Sequence, residues 1–245
     1  IDNKPSGSAT YVFNICKDAN DNLIVAYQDQ RNGTLIAVAY KVSTAGTHLW
    51  SSSGVVLGDG LAPYPTVIGT GETIVAWNEA NSNTLAIQKI STSGSTVWAT
   101  PVSVQVGTSK TTRGQVIGDL NGKFTMVFQK RGFGISTTLY AQRFNADGTS
   151  PWSAPLQIST ETTSGARYYS IAAEADTTYF GYYSSVGSRF NSWLQRINPD
   201  GSAPYGSNGS NFSTATGGAD PYQQMTTIAL DPGSPYVWSV CSYSN

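Results

Sequence analysis

One histidine and two cysteines are all that this 245-residue chain carries of those residue types, and each scarcity excludes a kind of chemistry. A serine hydrolase needs a histidine placed as base. His48 falls in a turn that recurs along the chain, where its counterparts are Thr96, Ser150 and Ala203, and it reads as a surface turn residue. A structural zinc site needs several Cys, His or carboxylate ligands at set spacing, which one histidine and two remote cysteines do not supply. Cys16 and Cys241 lie almost a chain length apart and read as small buried strand residues; a bridge would require the two ends to meet. Charge is scarce as well: 14 basic residues stand against 15 acidic ones, for a net charge of −1. That balance gives no overall positive field for a phosphate backbone, so nucleic acid is not an expected partner. The chain has no apolar run of the length a membrane helix needs, no helical periodicity and no glycine-rich phosphate loop, and no signal peptide opens it.

What the chain does have is a repeat. LYAQRFNADGTSPW (Leu139 to Trp152) recurs as LAIQKISTSGSTVW from Leu85 to Trp98, as LIAVAYKVSTAGTHLW from Leu35 to Trp50, and as SWLQRINPDGSAPY from Ser192 to Tyr205. Each copy is an alternating strand that ends in a basic residue, an apolar residue and Ser or Asn, followed by a turn glycine with an aromatic four positions beyond it. The period is about 50 residues, with four short strands, a to d, per unit. The predicted fold class is therefore all-β: a β-propeller with four-stranded antiparallel blades over residues 1–245, part of a larger ring. Blades are expected at about residues 11–58, 64–107, 114–160 and 168–215, with a partial blade at 225–245. Both ends fall out of frame, which predicts a segment of a longer repeat array; the alternative is a five-bladed ring closed by its termini.

Columns down the repeat carry physical meaning. Lys41, Lys89, Arg143 and Arg196 form a basic column on the opposite strand face from Val42, Ile90, Phe144 and Ile197. The basic column predicts repeated ion pairs, or stems packed over a neighbouring blade. Tyr27, Trp77, Phe128 and Tyr182 are expected as core between blades.

Three chemistries have candidate residues. Asp18, Asn20 and Asn22 in one a-to-b turn, and Asp119 with Asn121 in another, offer the alternating oxygens that suit Ca2+, although no acidic residue closes either loop at the expected distance. No other cofactor is expected. Paired carboxylates for glycoside hydrolysis could come from Glu79, Glu161, Glu174 and Asp176, which occupy unrelated frame positions. Trp193, Tyr168, Tyr222 and Phe133 fall outside the repeated core columns and are candidate stacking surfaces for a glycan.

The turns STAGTHLW, STSGSTVW, NADGTSPW and NPDGSAPY resemble the Asp-box hairpin of sialidase-type propellers in their glycine and aromatic. The early Asp of that box is missing and the glycine-to-aromatic interval is one residue longer. Strand c with its turn and strand d also looks like the propeller-type repeat arrays of large secreted bacterial surface proteins that use the type IX secretion system. That resemblance implies export to the cell surface and a sorting domain beyond this segment. The leading expectation is thus a non-catalytic extracellular propeller, not an enzyme, offering an adhesion surface to a protein or glycan on a cell surface. The alternatives are a lectin-like or glycoside-hydrolase propeller, and a cargo or structural subunit of an outer-membrane secretion translocon.

Overall fold

The computed structural model describes residues 13–31, 33–131, 137–160, 169–186, 189–212 and 222–244, and every regular element among them is a β-strand. Alternating aliphatic and aromatic residues make these strands, because such side chains fit a pleated surface covered on both faces. The chain is a β-propeller of antiparallel meanders. The first sheet holds β1 (Phe13–Lys17), β2 (Leu23–Arg31), β3 (Thr34–Val42), β4 (Val55–Val67), β5 (Thr73–Glu79), β6 (Leu85–Ile90) and β7 (Val102–Val104), hydrogen-bonded in that order. It is two blades in one ladder. Strand β4 closes the first blade against β3 through Val55 to Asp59, and opens the second against β5 through Gly60 to Val67.

Separate sheets follow: β8 (Thr111–Gly118), β9 (Phe124–Arg131), β10 (Thr137–Phe144) and β11 (Leu156–Ser159) form one, and β12 (Ser170–Glu174), β13 (Thr177–Val186), β14 (Arg189–Ile197) and β15 (Ser210–Asn211) the next. A hairpin of β16 (Tyr222–Leu230) and β17 (Val237–Ser244) lies beyond them.

The core sits between the sheets. Ala37, Ala39, Trp50 and Leu57 of the first blade pack on Val75, Trp77 and Ile90 of the second. Ile74, Leu85 and Ile87 meet Met126, Phe128 and Tyr140, and Val127, Leu139 and Ile158 meet Phe180, Tyr182 and Ile197. Trp77, Phe128 and Tyr182 are almost wholly buried there.

Strand d begins later than the repeat suggests. The repeated aromatic Trp50 precedes it, and β4 starts only at Val55. The indole turns instead toward the next blade, where its ring covers the turn glycine Gly94 and its Nε1 donates to the Thr92 carbonyl at 3.0 Å. Trp152 does the same to Gly201, with Nε1 donating to the Pro199 carbonyl at 2.9 Å. Trp98 lies against Gly148, but its Nε1 has no partner among the described residues. The repeated glycine and aromatic are thus two halves of one contact between successive blades.

Candidate functional site

A meander puts its a–b and c–d turns at one end of a blade, the lower end here, and its b–c turns and d–a connections at the other, the upper end. The two ends are built differently.

At the lower end Lys41, Lys89 and Arg143 of the basic column form ion pairs with the a–b turns, and Arg196 forms none among the described residues. Lys41 Nζ lies 2.8 Å from Asp18 Oδ2, Lys89 Nζ 3.2 Å from Glu72 Oε2, and Arg143 2.5 Å from Asp119 Oδ2. Asp18 Oδ1 accepts the backbone N–H groups of Asn20 and Asn22, and Oδ2 also accepts from the Asn22 side chain. Burial pushes this carboxyl upward, but the hydrogen bonds from Lys41, Asn22 and the backbone outweigh it and hold it well below the usual carboxylate range. Asp119 Oδ1 accepts the N–H groups of Asn121 and Lys123. The Asp18 and Asp119 carboxylates nominated for Ca2+ therefore face N–H donors and a fixed cation. Arg143 also donates to the Asp176 carbonyl of the next blade at 2.9 Å. Exposed Asp147 and Asp200 are held below their ordinary range by the side-chain and backbone donors of Thr149 and Ser202.

The upper end carries strain. The inner strands β4, β8 and β16 each shift register there, between Leu61 and Tyr64, Thr112 and Gln115, and Gln224 and Thr227. Ala62 and Arg113 occupy the same bulge position in the left-handed region, with φ of 52° and 56°, a conformation that costs a residue with a Cβ about 1–2 kcal/mol. Amides from the preceding blade fasten both bulges: Gln28 Oε1 accepts the Ala62 N–H at 3.4 Å and Asn78 Oδ1 the Arg113 N–H at 2.9 Å. The buried Tyr169 hydroxyl donates to the Arg113 carbonyl, and burial pushes that phenol far above its ordinary range, so it remains a neutral donor. The bulge turns the Arg113 side chain into an exposed position.

Next to Asn78 stands Glu79, the last residue of β5. Its Oε2 accepts from the hydroxyls of Thr84 and Ser82, the latter at 3.5 Å, while Oε1 has no hydrogen-bond partner among the described residues. Glu79 pairs with Gly60, and the carbonyl of the preceding Asp59 accepts the Ala80 N–H at 3.2 Å.

Among the described residues, those nominated from sequence do not come together. Glu174 and Asp176 flank the turn between β12 and β13 at the lower end, opposite to Glu79. Glu161, Tyr168 and Phe133 lie outside the described residues. Tyr222 opens β16, paired with Ser244. Trp193 is half-buried: its Nε1 donates to Ser184 Oγ at 2.8 Å and its ring stacks on Tyr182 at 6.4 Å, so much of its surface is already spent on the core. His48 packs 5.6 Å from the Tyr40 ring instead of standing clear in solvent. Cys16 and Cys241 are free, and burial, followed by the charge of Asp18, pushes the Cys16 thiol up to about 12. Arg113 and Asn78 escaped the sequence reading. The available signal was that Arg113-Gly114 occupies the place of Ala62-Pro63 near the start of strand a.

No family model and no curated protein matches the chain. Solved structures do. A Hadza microbial sialidase aligns with a TM-score of 0.58 at 14% identity, over 91% of this chain and 50% of the sialidase, so the chain spans half of that protein's length. A thermostable family-43 glycoside hydrolase aligns at 0.51 and 10% identity, over 96% of this chain and 84% of the other. An α-L-arabinofuranosidase from Fusarium graminearum aligns at 0.50 and 11% identity, over 84% and 75%. These likenesses show the propeller, and they do not extend to a type IX secretion array. They also overturn the leading expectation of a non-catalytic module that is not an enzyme, because the propellers this backbone follows are glycosidases. The missing histidines and metal ligands excluded only chemistries that require them. Two carboxylates suffice to cleave a glycosidic bond.

Proposed function

We propose that this chain is a carbohydrate-active propeller of glycoside-hydrolase type, with its substrate at the upper end and Glu79 as the acid–base carboxyl. The observation that carries the reading is the state of Glu79: a half-buried carboxylate, one oxygen braced by two hydroxyls and the other without a partner among the described residues. At the lower end the carboxylates of Asp18, Glu72 and Asp119 are consumed by lysine, arginine or turn N–H groups, and those of Asp147 and Asp200 by turn hydroxyls and N–H groups. Support comes too from the strained Arg113 bulge at the same end, since backbone strain of this kind collects at functional sites, and from the fold shared with glycosidases.

In this reading Glu79 gives its proton to the departing glycosidic oxygen as the bond to the anomeric carbon breaks. The second carboxylate that such a site needs takes a proton from the water that adds to that carbon, or attacks the carbon itself before water does. Glycans are the partners proposed; a protein partner and a secretion translocon draw no support from the similar structures. An extracellular setting belongs to the same proposal, because polymeric glycans are met there.

Release of 4-nitrophenol from a panel of aryl glycosides that includes the α-L-arabinofuranoside, together with a 4-methylumbelliferyl sialoside, tests it. Glu79→Gln should lower kcat/KM on the accepted substrate by about 100- to 10,000-fold with the melting temperature unchanged. A wild-type rate in that variant, or no release from any substrate, would sink the proposal.

A further inference from the structure

Strand c carries a glutamine just before the basic column in three blades, and in two of them its job is plain. Gln88 Nε2 donates to the Trp98 carbonyl at 3.0 Å while Oε1 accepts the Trp98 N–H at 3.2 Å, tying down the chain after the c–d turn. Gln195 donates to the Gly206 carbonyl at 2.7 Å. The third blade departs from this pattern. Gln142 Nε2 stops at Ser150 Oγ, 2.5 Å away, and the serine makes the backbone contacts in its place, accepting the Trp152 N–H at 3.1 Å and donating to the Trp152 carbonyl at 2.9 Å.

Where the glutamine is drawn back, a cavity of about 250 Å3 opens between β7 and β10, lined by Val102, Val104, Gln142, Phe144, Ser150 and Pro155 among others. It is smaller than the roughly 300–1,000 Å3 of pockets for drug-sized molecules, which fits one ring and not an extended ligand. Its walls divide in the way a sugar does: valine, phenylalanine and proline offer contact to C–H faces, and the 7% exposed Gln142 amide, whose Oε1 has no hydrogen-bond partner among the described residues, offers an acceptor to a ring hydroxyl. None of the lining residues is ionisable, so nothing there would compensate a charge.

We infer that this cavity is a binding site for a single neutral sugar residue, on the flank between the second and third blades. It stands on the departure of Gln142 from the repeat and not on Glu79, which lies at the upper end of another strand. A glycan held there would be retained by the propeller without entering the candidate active site.

Saturation-transfer NMR on the whole chain, with methyl β-D-galactopyranoside and methyl α-L-arabinofuranoside as probes, decides the matter. Transfer to the ring protons of at least one probe is expected. Val102→Trp, which fills the cavity from a half-exposed edge-strand position, and Gln142→Leu, which removes the amide at similar volume, should each weaken binding at least tenfold. Glu79→Gln should leave it unchanged. Should Gln142→Leu fail to fold, Val102→Trp alone carries the test. The inference falls if neither probe receives transfer from the wild type, if transfer survives Val102→Trp, or if Glu79→Gln abolishes it. Hydrolysis by the Val102→Trp variant is read separately, so loss of this site and loss of the active-site reading give different results.

Discussion

A buried carboxylate is stabilised only by what surrounds it, and Asp18 shows how narrow that support is. Its lowered pKa means that the folded state holds the proton less tightly than the unfolded chain does. The resulting stability is complete above the ordinary carboxylate range near pH 4 and is lost as pH falls through and below it. Thermal melts should therefore show the melting temperature dropping steeply below about pH 4, and Asp18→Asn should reduce that slope. At neutral pH, Lys41→Met leaves the buried charge without its cation and should cost about 3–5 kcal/mol. Adding Asp18→Asn to it should recover part of that loss, a coupling that a urea double-mutant cycle measures. The same occupancy argues about calcium: an ion would have to displace Lys41 from Oδ2, so millimolar Ca2+ or EDTA should not move the melting temperature. Arg113 offers the complementary case. Arg113→Gly removes the cost of the left-handed backbone, so melting temperature should hold or rise while activity falls, the opposite of what a merely structural residue would show.

Individual strands matter less than the contact that repeats between them. Adding a Cβ at Gly94 would bring it 2.7 Å from the Trp50 ring on a backbone of φ 90°, so Gly94→Ala combines a clash with a disfavoured conformation and should cost at least about 2 kcal/mol in urea unfolding. Replacing tryptophan by phenylalanine separates ring from hydrogen bond. Trp152→Phe loses the donation to Pro199 and should cost about 1 kcal/mol more than Trp98→Phe, whose indole N–H has no partner to lose among the described residues. This layer of the fold was legible in the sequence because period, glycine and aromatic are all local. The basic column was legible to the same degree, since side-chain alternation alone sets Lys41 against Val42. What escaped were features that depend on which turn lies at which end. Glu79, Glu174 and Asp176 look equivalent as letters, and only the direction of β5 and β12 puts the first at the opposite end from the other two. The bulge at Arg113 escaped for a related reason: an extra residue in one strand shows only when its partner strand is in place.

Across the whole molecule, large apolar side chains are exposed at both extremes of the blade series. Phe13 and Ile15 of β1 are 61% and 57% exposed, and Trp238 and Val240 of β17 are 63% and 62% exposed. Register puts Phe13 and Ile15 on one face, opposite Tyr27 and Val25, and puts Trp238 and Val240 together opposite Ala229 and Thr227. These are continuous patches and not scattered residues, which is the arrangement that promotes association. Net charge does little to oppose it, at −1 near neutrality with an isoelectric point near 5.8. Sedimentation velocity over a concentration series should therefore show self-association that is strongest near pH 5.8 and weaker at pH 8. Salt separates the two causes: raising ionic strength screens charge without weakening apolar contact, so association at pH 8 should rise with salt if repulsion was limiting it. Trp238→Asp with Val240→Asp adds charge to one patch and should leave the chain monomeric across this range. Its melting temperature should be nearly unchanged, because both side chains already face solvent. A variant that still associates would move the contact to the Phe13 and Ile15 face, where Ile15→Asp repeats the measurement.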